Sequence, residues 1–136
     1  MSHRRSFGPG DTEALAAELA ARLGPGDVVL VAGELGAGKT TFVRGACRAL
    51  GVTEPVVSPT FAIGRRYRGR VPVSHLDLYR LEDMGTEEPG LLEDYLTADA
   101  VTFVEWPSVA GADLDHVAAR VTIDHAGGDR RLISID

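Results

Sequence analysis

The sequence predicts an α/β domain, a central sheet of mixed parallel and antiparallel strands with helices on its faces. Three observations carry this. A wholly apolar run at residues 28–32 precedes a glycine-rich loop and then a helical pattern, the order strand, loop, helix. Residues 100–106, A-V-T-F-V-E-W, read as a second buried strand. Between them, residues 58–69 and 70–81 read as an antiparallel pair around a tight Arg68-Gly69-Arg70 turn. At 136 residues the chain fits one domain with a core of its own.

In chain order, residues 1–10 show no periodicity and are expected to lie loose on the surface, leaving residues 11–136 as the folded domain. A helix follows, with Asp11 as N-cap, Leu15, Leu19 and Leu23 spaced every four residues, and Gly24 at its end. Residues 25–27 make a turn into the first buried strand. Residues 33–39 form the loop, and residues 40–51 a second helix closed by Gly51. After the antiparallel pair, residues 88–98 read as a short helix with an acidic face. Residues 116–136 read as a final hairpin around Gly127-Gly128. No internal repeat or low-complexity segment interrupts this order.

The net charge of −6 is uneven. Residues 1–63 balance to zero, residues 64–80 carry +4 through Arg65, Arg66, Arg68, Arg70 and Arg80 against Asp77, and residues 81–136 carry −10. A chain that binds nucleic acid by itself needs a basic surplus to replace phosphate counterions, so RNA contact by this chain alone is not expected. Four of these arginines, Arg65, Arg66, Arg68 and Arg70, are candidates to face a partner or its RNA. The one cysteine, Cys47, cannot form an internal disulfide and has no Cys or His at zinc-ligand spacing. The absence of a signal peptide or long apolar run reads as cytoplasmic.

Of fourteen basic residues, thirteen are arginine and one is Lys39. Residues 33–40 read G-E-L-G-A-G-K-T and match G-x-x-x-x-G-K-[ST] between an apolar strand and a helix. The glycines let consecutive N–H groups curl inward toward phosphate oxygens. The helix adds the positive end of its dipole. A lysine ammonium is a compact charge that reaches the β- and γ-phosphates, and Thr40 offers a hydroxyl to Mg²⁺. Arginine, a planar fork, is a poor substitute in a closed loop. The prediction sharpens to a P-loop NTPase-like three-layer fold binding ATP or ADP with Mg²⁺.

Such a loop needs an acidic partner, commonly at the end of an apolar strand. Glu105 ends one. Asp77 shares a strand face with Val73, His75 and Tyr79. The residue pattern leaves both open as the metal ligand, and His75 reads as a hydrogen-bonded strand residue. Thr60, in a loop after the second helix, sits where nucleotide switches place a threonine that senses the γ-phosphate.

Together, "GELGAGKTT", "SPTF", "HLDLYRL" and "VEWP", with the leading "DTEALAAELA", resemble the TsaE family, also called YjeE. The resemblance runs from about Asp11 to the C-terminal hairpin. The phosphate loop is shared by many families; the other three motifs are specific. The resemblance implies a bacterial Mg-dependent ATPase, weak alone, that docks on the TsaB–TsaD pair. Its ATP hydrolysis resets that complex as it places threonylcarbamoyl on the adenosine 3′ of the anticodon, in tRNAs reading codons that begin with A. Contact with tRNA is then indirect. The resemblance also implies that Gly33, Glu34, Leu35, Gly36, Ala37, Gly38, Lys39, Thr40 and Thr41 cradle the phosphates. Thr40 and Glu105 would hold magnesium, and Asp77 would orient water or share the metal. Thr60 would act as a switch, Trp106 would be an aromatic beside the site, and Thr12 would lie near the adenine. The family usually has Asp where this chain has Glu34, a variable position of the loop. Two other readings of the phosphate loop remain: a small-molecule kinase, for which 136 residues leave little room for lid and substrate insertion, and a non-hydrolysing nucleotide switch.

Overall fold

The computed structural model describes residues 2–34, 36–57, 64–78, 95–105 and 116–136. Its elements are β1 (Ser2–Ser6), α1 (Pro9–Ala20), β2 (Val28–Gly33), α2 (Lys39–Ala49), β3 (Gly64–Arg68), β4 (Pro72–Asp77), β5 (Val101–Glu105), β6 (Val117–His125) and β7 (Arg131–Ile135). They form one seven-stranded sheet in the order β1-β7-β6-β2-β5-β4-β3. The middle four strands, β6-β2-β5-β4, are parallel. Antiparallel β3 closes one side, and antiparallel β7 and β1 close the other. The mixed α/β sheet expected of a P-loop NTPase-like fold is present.

A strand buried on both faces needs apolar residues at every position. In β2, Val29 and Val31 join α1 and α2 in the larger core cluster, with Phe42, Val43, Val73, Val101 and Phe103. Val28 and Leu30 point to the opposite face and pack with Leu76, Leu78 and Val104, beside Tyr95 and Leu96. Most of the helix expected over residues 88–98 lies outside the described residues. The two described helices touch at Gly45, where a Cβ would lie 2.5 Å from the Glu13 Cα and 2.6 Å from its carbonyl oxygen. Glu13 also holds Arg48 at 3.4 Å and Arg44 at 3.9 Å.

Two sequence expectations at the N-terminus are corrected. Residues 2–6 are not loose: they form β1, in register with β7 from Ser2↔Ile135 to Ser6↔Arg131. The strand is polar because it is an edge, so no apolar alternation marks it. The helix begins at Pro9, with Gly8 at the N-cap position, and ends at Ala20 rather than Gly24. Proline suits the first helical turn because its missing N–H would have no partner there. Asp11 is therefore not the cap; it lies in the first turn, where its carboxylate accepts from the Phe7 N–H at 2.9 Å.

Both hairpins stand as expected, around Gly69 and around Gly127-Gly128. The basic island divides. Arg70 donates from its backbone N–H to the Leu50 carbonyl at 2.8 Å and from Nη2 to the Ala49 carbonyl at 2.6 Å, closing the carbonyl end of α2. Arg65, Arg66 and Arg68 are exposed on β3, Arg66 lying 5.5 Å from the centre of the Tyr95 ring. Arg4 and Arg5 are exposed on β1 at the opposite edge.

Candidate active site

The site gathers where β2 and β5 end. β2 hands over to the loop at Gly33, whose φ is 156° and where a Cβ would lie 2.5 Å from the Ile123 carbonyl oxygen, so only glycine fits against β6. Gly38 holds the N-cap position of α2 at φ 104°, a left-handed conformation that turns the chain into the helix. Among the described residues no side chain caps α2, and no acid sits in its first turn, so its N–H groups and dipole are presented to the loop.

Lys39 is buried and donates from Nζ to the carbonyls of Gly33 at 2.8 Å and Glu34 at 2.9 Å. The lysine thus spans the base of its own loop. Burial holds its pKa below the ordinary lysine value, and attraction to Glu105 and Asp77 opposes that shift. Thr40 and Thr41 follow on α2, both half-buried.

Glu105 is the last residue of β5, paired with Val31 of β2 on one side and Asp77 of β4 on the other. Its carboxylate lies in the core, where Oε2 accepts from the Thr40 hydroxyl at 3.4 Å and from Nε2 of His75. Asp77 is half-buried, and strand alternation puts it on the β4 face that carries Val73 and His75. Lys39, Thr40, Asp77 and Glu105, drawn from three separate sequence motifs, therefore meet at one end of the sheet.

Thr12 is buried in α1, its hydroxyl 2.7 Å from that of Ser6. Ser6 in turn lines a cavity of about 340 Å³ with Arg5, Phe7, Ala126, Arg131 and Leu132. Thr12 thus connects through Ser6 to this cavity. Leu35, Thr60 and Trp106 lie outside the described residues.

Sequence reasoning missed Arg131. From the start of β7 it donates Nε to the Ala37 carbonyl at 2.9 Å, Nη2 to the Gly36 carbonyl at 3.4 Å, and Nη1 to the carbonyls of Gly128 at 2.7 Å and Arg130 at 2.8 Å. It ties the C-terminal hairpin to the outer side of the loop. Only a doubled arginine after a hairpin turn signals it in the sequence, and nothing local in that pattern names the loop.

A family model described as "Threonylcarbamoyl adenosine biosynthesis protein TsaE" matches residues 8–133. The tRNA threonylcarbamoyladenosine biosynthesis protein TsaE of Bacillus subtilis is 41% identical over 131 residues, covering 96% of this chain and 82% of that protein. The protein of the same description from Streptomyces coelicolor is 42% identical over 118 residues, covering 85% of this chain and 80% of the relative. The crystal structure of Bacillus subtilis YdiB superposes with a TM-score of 0.78 at 33% identity, covering 98% of this chain and 83% of that one. By its sheet, by the residues gathered at the loop, and by these matches, the chain belongs to the TsaE family.

Proposed function

We propose that this chain binds ATP with magnesium at residues 33–41 and hydrolyses it in support of tRNA threonylcarbamoyladenosine biosynthesis in the cytoplasm, acting on a TsaB–TsaD pair. The observation that carries the reading is the meeting of Lys39 and Thr40 with the buried Glu105 at the ends of adjacent parallel strands. The family and the described names of its relatives supply the pathway.

The donor set fits magnesium. The Thr40 hydroxyl and the Glu105 carboxylate are hard oxygens within one coordination sphere of each other. Among the described residues no group of three or more His, Cys, Asp or Glu could hold a metal, and Mg²⁺ commonly takes one or two protein ligands, with water and phosphate oxygens completing its shell. Thr40 and Glu105 would hold the ion, which would supply positive charge against the negative charge of the phosphates.

Lys39 leaves its loop carbonyls to meet the phosphates, and the N–H groups of residues 34–41 close around them. Asp77 orients the attacking water. The water oxygen bonds to the γ-phosphorus, the bond from that phosphorus to the β–γ bridging oxygen breaks with its electron pair staying on ADP, and the water proton passes to solvent. Positioning and charge supply nearly all the catalysis in such transfers, so a partner that tightens the site raises the rate.

The test is ATP hydrolysis by the purified chain, alone and with a cognate TsaB–TsaD pair, for wild type and Lys39→Ala. The expected result is low activity that rises with the pair and vanishes in the variant. Hydrolysis that the pair leaves unchanged would remove the partner from the proposal, and phosphorylation of an added nucleoside or metabolite would turn it toward a kinase.

A further inference from the structure

Glu105 is only 2% exposed and His75 is 0% exposed. An ionised carboxylate buried this deeply is costly unless donors reach it. Two hydrogen bonds reach it among the described residues, and both converge on Oε2: the hydroxyl of Thr40, at 3.4 Å, and Nε2 of His75. The threonine contact is long and weak. The imidazole is the close one.

We infer that His75 is a positioning residue for the metal-binding carboxylate: its Nε2–H holds Oε2 of Glu105 so that the carboxylate's other lone pairs stay directed to a divalent cation beside Thr40. The inference rests on the magnesium–nucleotide reading above. A carboxylate can only accept, so the proton of this contact sits on Nε2. The other ring nitrogen, Nδ1, is buried and has no hydrogen-bond partner among the described residues. A proton there would be an orphaned donor, so burial and the carboxylate select the same tautomer. The backbone fixes the ring as well. His75 stands across from Phe103 in the β4–β5 register, two residues before the Asp77↔Glu105 pair, so the imidazole reaches the carboxylate diagonally on the same sheet face. The competing partner is also at hand. Burial lowers the Lys39 pKa and attraction to Glu105 opposes that shift, so this ammonium would compete for the carboxylate once the histidine is removed.

The test is Mn²⁺ binding to the protein–ADP complex, followed by electron paramagnetic resonance, with ADP affinity measured separately in EDTA. Two variants of similar volume are compared: His75→Leu, which lacks a donor, and His75→Gln, whose amide restores one. Loss of a partner that orients a metal ligand typically costs ~10–100-fold in metal affinity. The Leu variant should lose that much, with its EDTA affinity for ADP within about twofold of wild type and the Gln variant recovering most of the loss. Wild-type metal affinity in the Leu variant would overturn the inference, as would a folded Gln variant no better than Leu. ADP binding by the wild type that metal leaves unchanged would instead sink the magnesium reading, and this inference with it. Should the Leu variant not fold, ¹⁵N NMR of the wild-type imidazole decides: a proton on Nε2 with and without Mg²⁺·ADP supports the assignment, and a proton on Nδ1 alone overturns it.

Discussion

Arg131 braces the loop by spending its fork on carbonyls of two different turns, Ala37 on one side and Gly128 and Arg130 on the other. Hydrogen bonds from charged donors contribute about 1.5–3 kcal/mol where they are well formed. Arg131→Ala should therefore weaken ADP binding about tenfold, and Arg131→Lys should recover little, because a point charge cannot span both turns. Titration calorimetry of the two variants checks this. Cys47 makes a different residue-scale prediction. Burial pushes its thiol up to about 12 from an ordinary 9.0, so the folded chain keeps a proton that the unfolded chain loses between those values. The unfolded state then binds fewer protons, and stability falls as pH rises through that window. Urea midpoints from about pH 8 to about pH 10.5 should decline more steeply for wild type than for Cys47→Ala. Equal slopes would show that the thiol ionises freely in the folded chain.

The contact between α1 and α2 depends on a missing side chain. Alanine is the better helix former, so Gly45→Ala favours α2 locally by up to about 1 kcal/mol. The added methyl would press on the Glu13 backbone at 2.5–2.6 Å, and backbone within a helix cannot swing aside. Overpacking of this kind costs ~1–3 kcal/mol, so the variant should be net destabilised, which denaturant unfolding measures directly. A stability equal to wild type would mean that the helices separate at little cost. The elements themselves were unequally legible. β2, the loop and α2 were readable because apolar continuity, glycine spacing and one lysine each have a local cause. The hairpins were readable from their turn residues. β1 was not, because its serines and arginines become a strand only through pairing with β7, 125 or more positions away in the chain. The start of α1 was misread because Asp11 is a good cap in isolation, whereas Pro9 and the preceding strand set the entry. Glu105 and Asp77 were both nominated, but their register against each other and against β2 is a property of the sheet. The His75 contact follows from that register, and so does not exist in any one segment.

At the scale of the molecule, the parallel centre holds the site and the antiparallel flanks hold the centre. β1 illustrates the dependence: it covers β7, and Ser6 at its end bonds Thr12 of α1. Deleting residues 1–6 should lower stability by ~2 kcal/mol or more, since several ladder hydrogen bonds at about 1 kcal/mol each are lost. Thermal melting of the shortened chain tests this, and an unchanged midpoint would mean that β1 rests on the sheet without supporting it. The two outermost strands also share a chemistry. β1 displays Arg4 and Arg5, and β3 displays Arg65, Arg66 and Arg68. An open strand edge is a template on which a second copy can add. Among the described residues each outermost strand would meet its counterpart on another molecule with like charge, which opposes sheet-to-sheet pairing even though the chain as a whole is acidic. That protection is electrostatic and reaches only about 8 Å at physiological ionic strength, so concentrated salt is the condition under which it fails.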